Sequence, residues 1–379
     1  MKILHLIDSG GFYGAEAVLV ELVKEQRKQG LDSHICSIGI PGETEKQIEV
    51  ISRSENLPVH VFRMRAGPNI IGAFKILAFA KDARFDVLHS HGYKANILFG
   101  LMPESIRQIH FVVTLHGWTS VKAFTSMWLY EKLDAFLLKN RKIIVLVSQA
   151  MLRHPNLQMV QEKCTIIENG IQSDVPVISE GEVKQKLIAL KEAGNHIIGS
   201  IGRLSYEKGY DALIEAFARC GQSLVLVIMG EGPEKDELCR IARAHGIADR
   251  ILFFGYVEQA GQFIPMFDVY VNSSRTEGTP ITLLEAMRAR VRIVARDVGG
   301  NRQLLGDGSC GLIVEDEGPD SLAKAMMKSL QEGGESVNRA YELFADRYTV
   351  AVMSDKYADV YRRLLGFDAG HEDSDNLSR

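Results

Sequence analysis

The sequence predicts an α/β protein of two domains, each a parallel sheet wrapped by helices. Three observations carry that expectation. Short runs of branched and aromatic residues alternate with amphipathic stretches along nearly the whole chain, the mark of repeated βαβ units. The 379 residues exceed one ordinary core and suit two domains of about 170 to 200 residues. Polar or glycine-rich loops follow the ends of the predicted strands, where open α/β sheets place ligands.

The first predicted strand, 3–7, runs into a turn containing Gly10, Gly11, Tyr13 and Gly14, and a helical stripe of Ala17, Leu19, Val20, Leu22 and Val23 follows. Such a turn lets backbone approach a ligand closely. A nicotinamide dinucleotide is one reading of it. However, the spacing is not G-x-G-x-x-G, and no acidic residue closes a following strand about 20 residues on. Strands at 34–38, 59–62, 86–89, 111–115 and 143–147 alternate with helices at 43–54, 70–81 and 125–140. His89, His91 and His116 fall at strand ends, with Lys94 and Trp118 in the loops beyond. Hydrogen-bonded structural histidines are the plain reading, and none has metal-ligand spacing. Residues 128–142 are apolar on one side and end in a basic cluster, which suits a core-facing helix whose last-turn cations meet its dipole. A helix resting on a membrane surface is the other reading.

The first domain is placed at 1–171 and a polar linker with Pro176 and Gly181 at 172–182. The second domain is 183–349, a helix near 350–366 returns to the first, and a polar tail occupies 367–379. In the second domain, the strand 197–201 leads into Gly202-Arg203-Leu204-Ser205-Tyr206-Glu207-Lys208-Gly209, and a helix follows at 211–219. Strands at 224–229 and 251–254, with a helix at 234–245 between them, precede the turn Gly255-Tyr256-Val257. A strand at 267–271 then opens the stretch N-S-S-R-T-E-G-T-P-I-T-L-L-E-A-M, residues 272–287. Pro280 suits the first helical position because its missing N–H is an orphan there anyway. The amides of Gly278, Thr279 and Ile281 at that helix start predict an anion site between Glu277 and Glu285. Solvated charges at a helix entrance are the plain alternative. Strands at 293–295 and 311–314 complete the sheet, and one long helical stretch covers 341–365.

Composition narrows the class. Hydrophobic content of 46% with 24% charged residues is that of a soluble globular protein. Residues 1–177 carry 20 Lys and Arg against 17 Asp and Glu, and the remainder 24 against 31. No basic stripe suits nucleic acid, although the mildly basic first half could touch an anionic membrane. Five scattered cysteines without a C-x-x-C pair suit a reducing compartment. No apolar run has the length of a signal peptide or membrane span. A cytoplasmic protein is expected.

The run from Glu277 to Met287 resembles the E-x7-E signature of family-four retaining glycosyltransferases, which have the GT-B fold. Other matches follow in the family's order. Val113-Thr114-Leu115-His116-Gly117 resembles its T-x-H-G/D element, the turn at 166–171 its x-N-G-[IV] close, and residues 202–209 its G-R-L-x-x-x-K-G element. One departure is Gln303, close to the position after V-G-G where relatives carry an acid.

The resemblance implies two Rossmann-like domains facing a cleft, with the C-terminal helix crossing back to the first. It implies transfer of a sugar from a UDP- or GDP-linked donor to a glycan or lipid-linked acceptor, with retention, as in bacterial lipopolysaccharide and other surface-polysaccharide synthesis. His116, Arg203, Lys208 and Glu277 are then the catalytic set. Gly11, Gly14, Gly202, Tyr256, Val257, Gly278, Thr279, Pro280, Ile281, Thr282 and Glu285 join Arg203, Lys208 and Glu277 around the donor, with Glu285 on the ribose. Gly10, Tyr13, His91, Lys94 and Trp118 lie on the acceptor side. No cofactor or metal is expected, since the one D-x-D, Asp373-Ser374-Asp375, lies in the tail. Peripheral contact with the cytoplasmic face of an inner membrane is a further expectation. A sugar-nucleotide epimerase and an inactive sugar-binding protein on the same fold are the alternatives.

Overall fold

The computed structural model describes the chain except residues 9, 10, 13, 66, 68, 117–125, 317 and 368–379, and the side chains of 126–129. The predicted helix start at 125 and most of the predicted tail therefore lie outside the described residues. The chain forms two compact units. One is Met1–Glu168 with the stretch from Val350 onward, and the other is Asn169–Thr349.

In the first unit seven strands lie parallel: β1 (Lys2–Ile7), β2 (Asp32–Gly39), β3 (Val59–Arg63), β4 (Val87–Ser90), β5 (His110–Leu115), β6 (Ile144–Leu146) and β7 (Cys164–Ile166), in the order β3-β2-β1-β4-β5-β6-β7. The two-residue period of β1 divides its side chains. Leu4 and Leu6 enter a core with the helices Ile70–Asp82 and Tyr93–Gly100, while Ile7 packs with Leu19, Val20 and Val23 of the helix Gly14–Lys28. The C-terminal helix Val350–Leu365 also belongs to this unit, and its Tyr357 and Tyr361 are buried. Arg141, past the helix Ser126–Leu138, donates to the Leu137 carbonyl at 3.1 Å and the Gly100 carbonyl at 2.6 Å. It thus caps two helix ends with positive charge.

In the second unit six strands lie parallel: β8 (His196–Ile201), β9 (Leu224–Met229), β10 (Ile251–Gly255), β11 (Val269–Asn272), β12 (Arg292–Arg296) and β13 (Leu312–Val314), in the order β10-β9-β8-β11-β12-β13. Alternate residues again feed opposite cores: Ile197, Val227 and Tyr270 pack with Leu284 and Phe344, and Ile198, Leu226 and Val271 with Leu213 and Phe217.

The structure departs from expectation in several places. The stretch 341–365 is not one helix. The helix Glu335–Arg347 ends before Tyr348, whose carbonyl accepts the Ile171 amide at 3.0 Å, and Thr349 bridges Ile171. That carbonyl is withdrawn from any continuing helical ladder. Lys94, expected in a loop past the strand end, lies within the helix Tyr93–Gly100. The helices Glu182–Glu192 and Pro319–Gln331 and the three-residue β7 were not foreseen. Finally, Pro280 is not the first helical residue. Its ψ of 112° is extended, making it the N-cap of the helix Ile281–Arg288, a shift of one position at a boundary.

Candidate functional site

In the second unit, the loops after β8 and β11 are laced together at the carboxyl edge of the sheet. Lys208 ends a single 3-10 turn, Tyr206–Lys208, and Gly209 beyond it has φ +63°. A Cβ there would run into the Ser273 carbonyl, so glycine is required by conformation and by space. Ser273 Oγ donates to the Lys208 carbonyl at 2.9 Å. Arg275 completes the lacing. Its guanidinium grips Asp211 at 2.9 and 2.7 Å, donates to the Tyr206 carbonyl at 2.8 Å and lies 4.2 Å over the Tyr206 ring. A planar fork is suited to that combination.

This frame fixes Glu277. One carboxylate oxygen, Oε1, accepts from Lys208 Nζ at 2.6 Å, Ser274 Oγ at 2.6 Å and Asn272 Nδ2 at 3.3 Å. The other has no hydrogen-bond partner among the described residues. Behind it stands Gly299 at φ +55°, where a Cβ would strike the Glu277 carbonyl. The Gly300 amide donates to the Gly278 carbonyl at 3.3 Å, and fully buried Asn301 donates to Asn272 Oδ1 at 3.2 Å and to the Arg296 carbonyl at 3.0 Å. The glycines of the V-G-G run thus back the Glu277 loop. Gln303 lies within the short helix Asn301–Leu304 that follows.

No side chain caps the helix Ile281–Arg288. The Leu283 amide turns back to the Pro280 carbonyl at 3.1 Å, and the amides of Ile281 and Thr282 precede it without a carbonyl acceptor among the described residues. With Pro280 as N-cap, the first amides of the helix itself are those of Ile281 and Thr282. Thr279 has an interaction of its own. Glu285 follows on this helix, half-buried and so close to Gly261 that a Cβ there would meet its carboxylate. Burial lifts its carboxyl to about 7, opposed by the charge of Arg288. Gly202, at the end of β8, is approached so closely by Gly230 that a Cβ on the latter would strike the Gly202 carbonyl. Arg203 and Tyr256 are exposed, and Val257 packs at the edge of the core.

In the first unit, His5 pairs in register with His89 across β1 and β4. His91 follows His89 by two residues, and His116 follows Thr114 by two, so period-two geometry brings all five to one face of the sheet. His5 Nδ1 lies 2.9 Å from His91 Nε2, and His91 Nδ1 3.2 Å from His116 Nε2. His5 Nε2 meets Gln26 Oε1 at 2.9 Å. His89 bonds Tyr361 at 2.6 Å and Thr114 at 2.7 Å. Burial pulls all four rings down, His5 and His116 to about 4 and the other two well below their usual value. They stand neutral at pH 7.

His5, His89 and His91 are a grouping whose ligand atoms lie within 4.8 Å of one another. Yet His5 Nδ1 and His91 Nε2 are 2.9 Å apart, an N–H···N distance. Two nitrogens on a tetrahedral zinc at about 2.0–2.1 Å stand roughly 3.3 Å apart. Every ring nitrogen of the three already has a hydrogen-bond partner. His5 and His91 are links of a hydrogen-bonded chain, and His89 stands beside it.

Lys94 is the second residue of the helix Tyr93–Gly100. Its charge faces Asp8, whose carboxyl is pushed up by burial and lies against Gly92 at that helix start. Gly14 opens the helix Gly14–Lys28, and Gly11 lies in the bend before it. Gly10, Tyr13 and Trp118 lie outside the described residues. Sequence reasoning missed Asp8, Gln26, His5, Asn272 and the Arg275–Asp211 clamp. For His5 a signal existed, a polar residue at an inward position of an otherwise apolar strand.

Comparison with known proteins places these features. Residues 12–175 match the family model described as Glycosyltransferase Family 4, and residues 182–342 match that described as Glycosyl transferases group 1. The chain is 22% identical over 372 residues to the O-antigen biosynthesis glycosyltransferase WclY of Escherichia coli, covering 96% of this chain and 99% of that protein. It is 29% identical over 248 residues to the N-acetylgalactosamine-N,N'-diacetylbacillosaminyl-diphospho-undecaprenol 4-alpha-N-acetylgalactosaminyltransferase of Campylobacter jejuni, covering 65% and 64% of the two chains. Among solved structures, Anabaena Alr3699/HepE in complex with UDP superposes with a TM-score of 0.82 at 22% identity, over 96% of this chain and 100% of that one. No helix among the described residues is long and apolar enough to cross a membrane. The two matched segments between them span both units, and the chain belongs to the group 1, family 4 glycosyltransferases, with the GT-B fold.

Proposed function

We propose that the protein transfers a sugar from a nucleoside-diphosphate donor to a hydroxyl of a glycan or lipid-linked acceptor, with retention and without a metal ion. The observation that carries this reading is the Glu277 cluster. A fixed carboxylate with one open oxygen, a lysine with N–H groups to spare, and an uncapped helix start all meet at one sheet edge.

Glu277 Oε2 accepts donor-sugar hydroxyls, and Glu285 accepts the ribose hydroxyls. Arg203, Lys208 and the amides of Ile281 and Thr282 receive the diphosphate. Gly202 lets the phosphates approach backbone, and Tyr256 and Val257 flank the base. The anomeric C–O bond to the diphosphate breaks while the acceptor oxygen bonds to the same face of that carbon. The acceptor's proton passes to the departing phosphate oxygen. Charge growing on that leaving group is what the cations and amides stabilise more in the transition state than in the bound donor. At ~4 Å and an effective dielectric of about 20, one such contact has a Coulomb energy of about 4 kcal/mol before desolvation.

The acceptor is assigned to the first unit, near His91, Lys94 and His116. The Campylobacter jejuni relative is named for a diphospho-undecaprenol acceptor, which supports a lipid-linked acceptor reached at a membrane surface. HepE structures with UDP and UDP-glucose support UDP over GDP. A thermal-shift panel of nucleoside diphosphates and their sugars tests the donor. A site-saturating ligand at 100 to 1,000 times its dissociation constant should raise stability by about 3–4 kcal/mol. Silence across the panel would remove the donor site.

A further inference from the structure

The buried histidines of the first unit form a chain with a direction. A neutral imidazole donates from one nitrogen and accepts at the other, so one end of the chain sets every ring. Gln26 Oε1 accepts from Ser33 Oγ at 2.7 Å and faces His5 Nε2 at 2.9 Å. Gln26 is fully buried, and so is Ser33. With that oxygen accepting, His5 must carry its proton on Nε2 and accept at Nδ1. His91 then donates from Nε2 at 2.9 Å and accepts at Nδ1, and His116 donates from Nε2 at 3.2 Å.

We propose that Gln26, His5 and His91 are positioning residues that hold His116 as its Nε2–H tautomer, so that His116 presents a bare, hydrogen-bond-accepting Nδ1 to a substrate hydroxyl. The proposal rests on the placement of His116 at the substrate site. Its logic is that of an orienting partner behind a catalytic imidazole, here an uncharged amide acting through two rings. Because Gln26 brings no charge, the chain does not raise the basicity of His116. It fixes direction. His89 stands beside the chain but outside it, closed by Tyr361 and Thr114. An amide turned the other way would reverse every donor in the chain and put a proton on His116 Nδ1.

The test uses the full chain labelled with nitrogen-15 and long-range proton–nitrogen correlation spectra of the histidine rings. Wild type should show a pyridine-type Nδ1 and a pyrrole-type Nε2 for His5, His91 and His116, unchanged from pH 8 to pH 5.5. Two variants separate direction from packing. Gln26→Glu keeps an acceptor and should keep the pattern of bare Nδ1 at His116. Gln26→Met keeps the bulk, removes the acceptor, and should give His116 mixed tautomers. With the donor and acceptor substrates, Gln26→Met should lower kcat by at least about tenfold, short of the roughly 10²-fold of a misplaced substrate, with the donor KM little changed. Gln26→Glu should stay within about threefold of wild type, on the same scale.

A proton on Nδ1 of His116 in the wild type overturns the proposal, as does an identical His116 spectrum in Gln26→Met. The effect on turnover fails separately if Gln26→Met is silent while His116→Ala is not. If His116→Ala is silent too, the site placement of His116 fails, whatever the spectra show.

Discussion

Glu285 should make the free protein less stable as pH rises, and removing its charge should reverse that. Its carboxyl stands at about 7 against an ordinary 4.5, because burial beside Gly261 strips water from the ionised form. At about 1.4 kcal/mol per pKa unit this is about 3 kcal/mol, and since the group is only half-buried the expected effect is roughly 1–3 kcal/mol. The sign follows from linkage. Between pH 4.5 and 7 the unfolded chain releases this proton while the folded chain keeps it, so stability falls through that window and is level above it. Glu285→Gln preserves shape without charge. Urea unfolding followed by far-UV circular dichroism should show the variant more stable than wild type at pH 8 and equal to it near pH 4.5. Taking the difference between the two proteins isolates this one group. The same variant should lose most of the stabilisation that a nucleoside diphosphate gives wild type at pH 8. A variant no more stable at pH 8 than at pH 4.5, relative to wild type, would refute the desolvation argument.

Two further outcomes test the cluster. Lys208→Met leaves Glu277 with Ser274 and Asn272 as donors, and Lys208 is itself a third exposed. The cost to stability should therefore be about 1–2 kcal/mol rather than the larger penalty of a fully buried orphan charge. Turnover should fall on the order of 10²-fold, read from steady-state rates, and wild-type turnover in the variant would remove the lysine from the diphosphate. Activity should persist in EDTA. Loss in the chelator, restored by Mg2+, would mean that the protein's own cations and amides do not suffice.

Local pattern told most about the sheets. The uninterrupted apolar run of Leu224–Met229 is a strand buried on both faces, as its short length and β-branched Val225, Val227 and Ile228 favour. It told less about endings. Pro280 satisfies both an N-cap and a first helical position, and only its ψ decides between them. The break at Tyr348 depends on Ile171, nearly two hundred residues earlier, and no window of sequence holds both. The helix Glu182–Glu192 buries one side chain fully, Leu187, so its stripe was too thin to stand out. At the site, residue types and strand-end positions were visible, but partners were not. That Lys208 would sit on Glu277, and Arg275 on Asp211, follows from β8 and β11 being neighbours. Strand order is a tertiary fact, and so is the register that sets His5 beside His89.

The return of Val350–Leu365 to the first unit bears on how the chain is made. The second unit is one unbroken stretch and can close as soon as it leaves the ribosome. The first cannot, because Tyr361 and Tyr357, whose hydroxyls bond His89 and Thr114, are made only after the whole of the second unit. Until they arrive, His89 Nδ1 lacks its interior partner, so the first unit matures after the second. A chain cut shortly before Val350 would carry a finished second unit and an unfinished first one.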